Sequence, residues 1–219
     1  MVYSRRMTRA APAAEPRPFV PGTTGWTAAD LDDPRAEREW FRGRYEIIEG
    51  VLTTMPAAYF DGQFAVQSLM FILKSHLRAK GRPSAFAPEV DIVIEASRVV
   101  RADAVYLTPQ DRKRQAEAAA LEGRKDLART RILVPPTLVI ESLSPGHEAH
   151  DTRLKRNWYG AFGVKHYWLL NAFERSLTCL VLHGGKYRVD VEGRGSDRLR
   201  PKLFPGLVLP LADVWESLD

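Results

Sequence analysis

Two apolar segments with the composition of β-strands are each interrupted by a single acidic residue. Asp103 lies within residues 99–107 and Glu141 within residues 137–143. Branched apolar residues favour strands, and a strand that is apolar on both faces lies inside a sheet. A carboxylate buried there is costly unless a cation accompanies it. The sequence therefore predicts a central sheet in which Asp103 and Glu141 each lie beside a positively charged group.

Two helices are predicted beside this sheet. Residues 61–80 carry apolar side chains at helical spacing, and Gly81 ends the segment. A second helix is predicted for residues 147–162, ended by Gly163. One face of each helix is apolar, so each is expected to pack on the sheet.

The remaining pattern predicts further strands and two antiparallel hairpins. One hairpin turns at Gly50 and the other at Gly184. The expected strands are 44–52 (two strands around the turn), 90–95, 99–107, 137–143, 165–170, 176–182 and 187–191. Strands that alternate with helices predict an α/β domain with a mixed sheet flanked by helices and extended by the hairpins.

The domain is expected to begin after an N-terminal tail. Residues 1–25 are rich in Pro, Ala, Gly and Arg without an apolar period, which predicts a disordered or mobile tail. Residues 26–219 are expected to form one domain, which opens with a short helix at Trp26 that ends near Pro34. Residues 109–131 are strongly charged and predict an exposed, partly helical insertion.

Charge and cysteine content limit the function classes only weakly. The net charge is +5, but residues 1–18 hold four arginines against Glu15, so the rest of the chain is nearly neutral and gives no general indication of a DNA partner. Cys179 is the only cysteine, which favours a reducing, cytoplasmic location without disulfides. The longest apolar stretch, residues 64–73, is too short to span a bilayer, so no membrane contact is expected.

Two interpretations of Asp103 and Glu141 remain open from the residues alone. Two strand carboxylates with hard oxygen atoms are suited to a divalent metal. They could equally form buried salt bridges, with Arg101 as one partner. Glu46, between apolar neighbours in the first hairpin, could complete a metal site or pair with a core arginine.

Other charged residues near these strands have simpler expected roles. Glu89, Asp91 and Glu95 alternate along one strand, which predicts a solvent-facing edge. Asp151 and Lys155 are four residues apart on a helix and could form a surface ion pair. Lys155 also borders the apolar face of its helix, from which it could reach a phosphate or a metal-bound water.

The helix start 147–151 contains two histidines and an aspartate. His147 and His150 are three residues apart, whereas the zinc-protease motif requires four, so the motif is not met. These residues could chelate zinc with Asp151 or serve as polar surface and caps. Neither a serine-hydrolase elbow nor a glycine-rich phosphate loop is present in the sequence.

Five separated motifs resemble a known family. They are RYEIIEGVL, VRADAVYL, PTLVIESLSPG, DTRLKRNWYGAFGVKHYWLLN and FPGLVLPLADVW. In this order they resemble the Uma-type putative restriction endonuclease family, a branch of the PD-(D/E)XK nuclease superfamily. The resemblance covers about residues 26–215 and implies a restriction-endonuclease-like sheet flanked by helices.

The resemblance also implies a set of site residues. Asp103 and Glu141 match the motif acids that would hold Mg²⁺ or Mn²⁺, and Glu46 would be an auxiliary acid. The superfamily lysine is expected two residues after the glutamate, where this chain has Leu143, so its role is assigned to Lys155.

Three departures from the family pattern stand close to these residues. Ala102 replaces the usual proline before the aspartate, and Gly146-His147 replaces the end of an SPST-like turn. The histidine usual before the first core helix is absent, with Asp61 or Gln63 nearby.

The expected function is that of a metal-dependent endonuclease that hydrolyses DNA, with catalytic residues Asp103, Glu141 and Lys155. A homodimer could supply a composite groove for DNA. The rival expectation is a catalytically weak or inactive nuclease-fold module for nucleic-acid binding or assembly, in which the same residues form a buried charge network.

Overall fold

A mixed β-sheet forms the centre of the molecule. The computed structural model describes residues 17–55, 59–83, 85–123, 131–143 and 151–218. Within these residues, nine strands form one sheet and two short strands form a separate ladder. The predicted mixed sheet with flanking helices is confirmed.

The strands follow the apolar segments of the sequence. Their bounds are β1 Tyr45–Ile48, β2 Val51–Thr54, β3 Ala85–Glu95, β4 Arg98–Leu107, β5 Arg131–Ile132, β6 Leu138–Ser142, β7 His166–Asn171, β8 Ser176–His183, β9 Lys186–Arg194, β10 Arg198–Leu199 and β11 Leu209–Pro210. The order across the sheet is β2-β1-β4-β6-β7-β8-β9, and β3 pairs with β4 and β5. The β6–β7 and β3–β5 pairs are parallel, and the other pairs are antiparallel.

Helices cover both faces of the sheet. Their bounds are α1 Pro34–Gly43, α2 Phe60–Ala79, α3 Pro109–Leu121, α4 Arg156–Phe162 and α5 Ala212–Trp215, with 3₁₀ turns at Ala28–Asp32 and Glu216–Leu218 and a π-helical turn at Asp151–Lys155. The apolar side of α2 packs on one face of the sheet, where Leu69 and Leu73 are fully buried. We call this cluster the α2-side core. Trp158 and Tyr159 of α4 pack on the other face, in the α4-side core.

The N-terminal segment differs from the sequence prediction. Residues 17–25 were assigned to the tail, but Phe19 packs 4.7 Å from the ring of Trp26 and 5.2 Å from that of Tyr45, measured between ring centroids. The backbone N–H of Gly22 donates to the carbonyl of Leu52 in β2 at 2.8 Å. The domain therefore begins before residue 26, because an aromatic side chain and backbone hydrogen bonds anchor this segment. Residues 1–16 lie outside the described part.

Helix α1 was not predicted. Pro34 was expected to end a helix, but it occupies the first turn of a new one, where its missing N–H costs nothing. The Asp33 side chain accepts from the backbone N–H of Arg35 and caps this helix. Trp40 then buries its ring in an N-terminal core together with Ile47 and Leu52.

The predicted charged insertion is partly helical, as expected, but its helix is not simply exposed. In α3, Asp111, Gln115 and Ala119 are buried. The Gln115 side chain accepts from the backbone N–H of Leu133 at 2.8 Å, which ties α3 to the chain after β5. Residues 124–130 lie outside the described part.

None of the described helices is long and apolar enough to cross a membrane.

Candidate active site

The sheet places the two strand carboxylates, Asp103 and Glu141, on neighbouring strands. Ala104 of β4 pairs with Ile140 of the antiparallel strand β6. One further step in this register places Asp103 opposite Glu141. The ladder stops there, because the backbone N–H of Ser142 donates to the Asp103 carboxylate at 2.7 Å instead of to a backbone carbonyl.

Asp103 is approached from the start of α2. The Gln63 side-chain amide donates to its Oδ1 at 3.2 Å, and the Ser142 N–H donates to its Oδ2. Burial raises the pKa of Asp103, and the Ser142 hydrogen bond and the positive charge of Lys155 only partly oppose this effect. A cation at the site would favour the ionised carboxylate.

Glu141 is buried and faces α4. Its Oε1 accepts a hydrogen bond from the Tyr159 hydroxyl at 2.7 Å, and both its oxygens lie 3.5 Å from Nζ of Lys155. Burial raises the pKa of Glu141 to about 8, and the nearby Asp103 and Glu46 act in the same direction, while Lys155 and Tyr159 act against it. The side chain holds a proton at neutral pH unless further positive charge approaches.

Lys155 lies at the centre of the cluster. Its buried ammonium is 3.2 Å from Glu46, 3.5 Å from Glu141 and 3.3 Å from the carbonyl oxygen of Arg101. The helix therefore places a cation beside the strand acids, as the resemblance implied. The Asp151 side chain, its other expected partner, lies outside the described part.

Glu46 belongs to this cluster, and within the described residues its carboxylate pairs with the Lys155 ammonium and not with an arginine side chain. Its Oε1 accepts from the backbone N–H of Arg101 at 2.9 Å. The Arg101 guanidinium pairs instead with Asp91 at 2.8 Å, and the Trp40 indole N–H donates to Asp91 at 2.6 Å. The prediction that Asp91 faces solvent is therefore wrong, because this acid has two buried partners, whereas Glu95 is exposed as expected.

Both strands of the β3–β4 pair depart from a regular pleat beside the site. Ala102 packs in the α4-side core and Ala104 in the α2-side core, so the alternation of faces in β4 breaks at Asp103. Glu89 stands opposite Asp103 in the β3–β4 register and has a φ of 42°. Its exposed carboxylate pairs with Arg44 at 3.0 Å. This irregularity lets Asp103 face the start of α2, where Gln63 lies, although neighbouring positions alternate between the two cores.

The donor chemistry of the cluster fits Mg²⁺ or Mn²⁺ rather than zinc. Asp103 and Glu141 offer hard carboxylate oxygens, and Mg²⁺ sites commonly take one or two carboxylates and complete their coordination with water and substrate phosphate. Within the described residues, no group of three or more His, Cys, Asp or Glu side chains is arranged to hold a metal ion. His147 and His150, considered as zinc ligands, lie outside those residues.

Sequence reasoning missed two polar partners of the acids. The Tyr159 hydroxyl donates to Glu141. Its position four residues after Lys155, on the same helix face, was the available signal. The second partner is Ser142, whose backbone N–H donates to Asp103. A Cβ at Gly62 would collide with the Ser142 Oγ, so a glycine lets the start of α2 approach this strand.

Comparisons with known proteins agree with this fold. A model of the Uma2 family, described as a putative restriction endonuclease, matches residues 38–212. The chain is also similar to the crystal structure of a putative nuclease belonging to DUF820 from Anabaena variabilis ATCC 29413, with a TM-score of 0.61 and 15% sequence identity over 81% of this chain and 93% of that one. At this identity the likeness shows the fold alone. A search of curated proteins found no match.

Proposed function

Because the chain belongs to the Uma2 family of putative restriction endonucleases, we propose that it is a divalent-metal-dependent endonuclease that hydrolyses phosphodiester bonds in DNA. The observation that carries this proposal is the cluster of Asp103, Glu141 and Lys155 at the point where the β4–β6 ladder stops.

Each residue of the cluster has a distinct role in the proposed reaction. Asp103 and Glu141 would hold Mg²⁺ or Mn²⁺, which when bound neutralises phosphate charge and acidifies a water molecule. Lys155 donates hydrogen bonds toward the attacking water or the phosphate oxygens, where negative charge develops. Glu46 and the Arg101 carbonyl orient the ammonium, and Tyr159 orients Glu141.

The direct test is cleavage of supercoiled, linear and single-stranded DNA by the purified protein with Mn²⁺ or Mg²⁺. We expect cleavage that stops when a chelator is added and that is lost in Asp103→Ala. Glu192→Gln, an exposed acid on β9, is the matched control and should cut as the wild type does. Cleavage by Asp103→Ala at the wild-type rate would contradict the proposal.

One observation favours a second candidate, a nuclease-fold module without catalysis. Lys155 already pairs with Glu46 and contacts Glu141 in a buried network, and no third metal-binding side chain joins Asp103 and Glu141 among the described residues. Wild-type protein that binds nucleic acid but neither takes up Mn²⁺ nor cleaves would favour this candidate.

A further inference from the structure

The outward face of α2 carries aromatic and basic side chains. Phe71 is 71% exposed, although a surface helix normally places polar residues on that side. Gln67, Phe71, Lys74 and Arg78 follow one another at spacings of three or four residues, so they share one face of the helix. We call this face, together with Arg82, the α2 track.

Two open grooves run along the α2 track. The first, of about 860 Å³, lies between α2, Pro88 and α5, and the second, of about 640 Å³, surrounds the end of α2 at Arg78 and Arg82. Phe71 and Lys74 line both grooves. The two grooves are therefore parts of one continuous surface, with an exposed aromatic ring where they meet.

The second groove is suited to phosphate. Lys74, Arg78 and Arg82 line it together with no acidic residue, and none of the three forms an ion pair with another residue in the described part of the chain. The first groove is lined by Asp213 and Glu216 in addition to Lys74. Anionic groups are therefore expected in the second groove and not beside α5.

The α2 track leads to the carboxylate cluster. Gln63, one turn before Gln67, donates to Asp103. Pro88, which lines the first groove, pairs with Ala104 beside Asp103. From Gln63 to Arg78 the helix rises by about 22 Å, so a chain that lies on this face would pass from the basic end to the proposed cleavage site.

We propose that the α2 track binds a single-stranded segment of the DNA substrate, with one base stacked on Phe71 and the phosphates contacted by Lys74, Arg78 and Arg82. The inference rests on the proposed function and specifies its substrate class. An aromatic ring beside basic residues is the usual arrangement in single-strand binding, because an unpaired base exposes a face for stacking whereas a paired base inside a duplex does not.

The test measures binding separately from cleavage. Fluorescence anisotropy with a labelled oligothymidine strand and a duplex hairpin, in buffer with a chelator, gives dissociation constants for each variant. Phe71→Ala should bind the single strand at least about fivefold more weakly, and Phe71→Tyr should retain binding. The double variant Arg78→Gln with Arg82→Gln should lower the slope of log affinity against log salt by about 1.4.

Matched controls carry the same changes outside the track. Leu121→Ala removes an apolar side chain that is 90% exposed at the end of α3, and Lys186→Gln with Arg188→Gln removes two exposed cations from β9. Both should bind the single strand as the wild type does. An equal loss in these controls would overturn the proposal, because binding would then follow total charge or exposed apolar surface.

Two other results would also overturn the inference. One is unchanged single-strand binding by Phe71→Ala; the other is a dimer that Phe71→Ala converts to a monomer without affecting DNA binding, since a second copy would then cover the track. Failure of the proposed function gives a different result from failure of this inference. In that case the wild-type protein does not cleave DNA with Mn²⁺, whether or not the α2 track binds DNA.

Discussion

Glu141 makes the stability of the protein depend on pH in an unusual direction. Its pKa rises from the ordinary 4.5 to about 8 on folding, mainly through burial. The folded protein therefore retains the proton while the unfolded chain loses it, and the free energy of unfolding falls as the pH rises from about 4.5 to about 8. We expect a decrease of the order of 4 kcal/mol over this range in metal-free buffer.

Denaturant titrations at a series of pH values measure this effect. Glu141→Gln should remove the part of the pH dependence that Glu141 causes, and the remainder reflects Asp103, whose pKa burial also raises. Glu192→Gln should retain the wild-type profile. If the free energy of unfolding of Glu141→Gln falls with pH as steeply as that of the wild type, a group other than Glu141 causes the pH dependence.

The metal assignment is tested on the same two acids. The wild type should bind Mn²⁺ in isothermal titration calorimetry, and Asp103→Asn and Glu141→Gln should each lose most of that binding because each removes an anionic ligand. Above the pKa of Glu141, about 8, both variants should be at least as stable as the wild type without metal, since repulsion between the ionised carboxylates is relieved. Two variants that bind metal like the wild type would show that the ligands lie elsewhere.

Lys155 is expected to act on the substrate without holding the metal, because a protonated amine has no free lone pair. Lys155→Ala should still bind Mn²⁺ but cleave about 100-fold more slowly. Because it leaves Glu46 buried without its cation and removes a polar contact of Glu141, circular dichroism must show that the variant remains folded.

A second substitution tests whether Lys155, on a helical turn, takes the role that the resemblance implied for a lysine at position 143. Leu143 directly follows β6, at the position where the resemblance implied a lysine, and it is half-buried. Lys155→Ala with Leu143→Lys should regain part of the cleavage rate. A folded, metal-binding Lys155→Ala protein that cleaves at the wild-type rate would remove Lys155 from the mechanism and leave it a structural role in the buried contacts with Glu46 and Glu141.

Among the elements, the segment before α1 yields a prediction about stability. Deletion of residues 1–16 should leave the melting temperature unchanged, because that sequence has no apolar period. Deletion of residues 1–25 should lower it by about 5 to 10 °C, because Phe19 and the hydrogen bonds to β2 are lost. Thermal melts of the two truncated proteins test this prediction, and Phe19→Ala serves as a milder control. Equal melting temperatures for both truncations would show that residues 17–25 contribute nothing.

The sequence predicts those helices and strands whose residue pattern is local and periodic. The long helix α2 and the hairpin around Gly50 are confirmed almost residue for residue. Helix α1 was missed because Pro34 both ends helices and begins them. The face of Asp91 was assigned wrongly because parity along one strand cannot show that Trp40 and Arg101 lie over it.

The candidate site could be predicted as a set of residues but not as a geometry. Apolar neighbours marked Asp103 and Glu141, and helix spacing marked Lys155. The break in the pleat at Asp103 depends on β3, where Glu89 adopts a positive φ, and a strand read alone cannot show it.

For the whole molecule, one strand joins all the core clusters. In β4, Ala104 belongs to the α2-side core, Val100 to the α4-side core and Val99 to the N-terminal core. We therefore expect residues 17–218 to unfold in a single transition, with equal calorimetric and van't Hoff enthalpies in differential scanning calorimetry. A separate early transition that Phe19→Ala shifts and Leu73→Ala does not would show that the N-terminal core unfolds independently.

The charge cluster around Lys155 also has a consequence for how the chain acquires activity. Its members come from β1, β4, β6 and the helical turn before α4, so the contacts that complete it join distant parts of the chain. Contacts of high sequence separation form slowly and late in folding. A nascent chain that has not yet released Lys155 from the ribosome, or a proteolytic fragment that ends before it, lacks the complete centre, so cleavage competence appears only after most of the domain has been synthesised and folded.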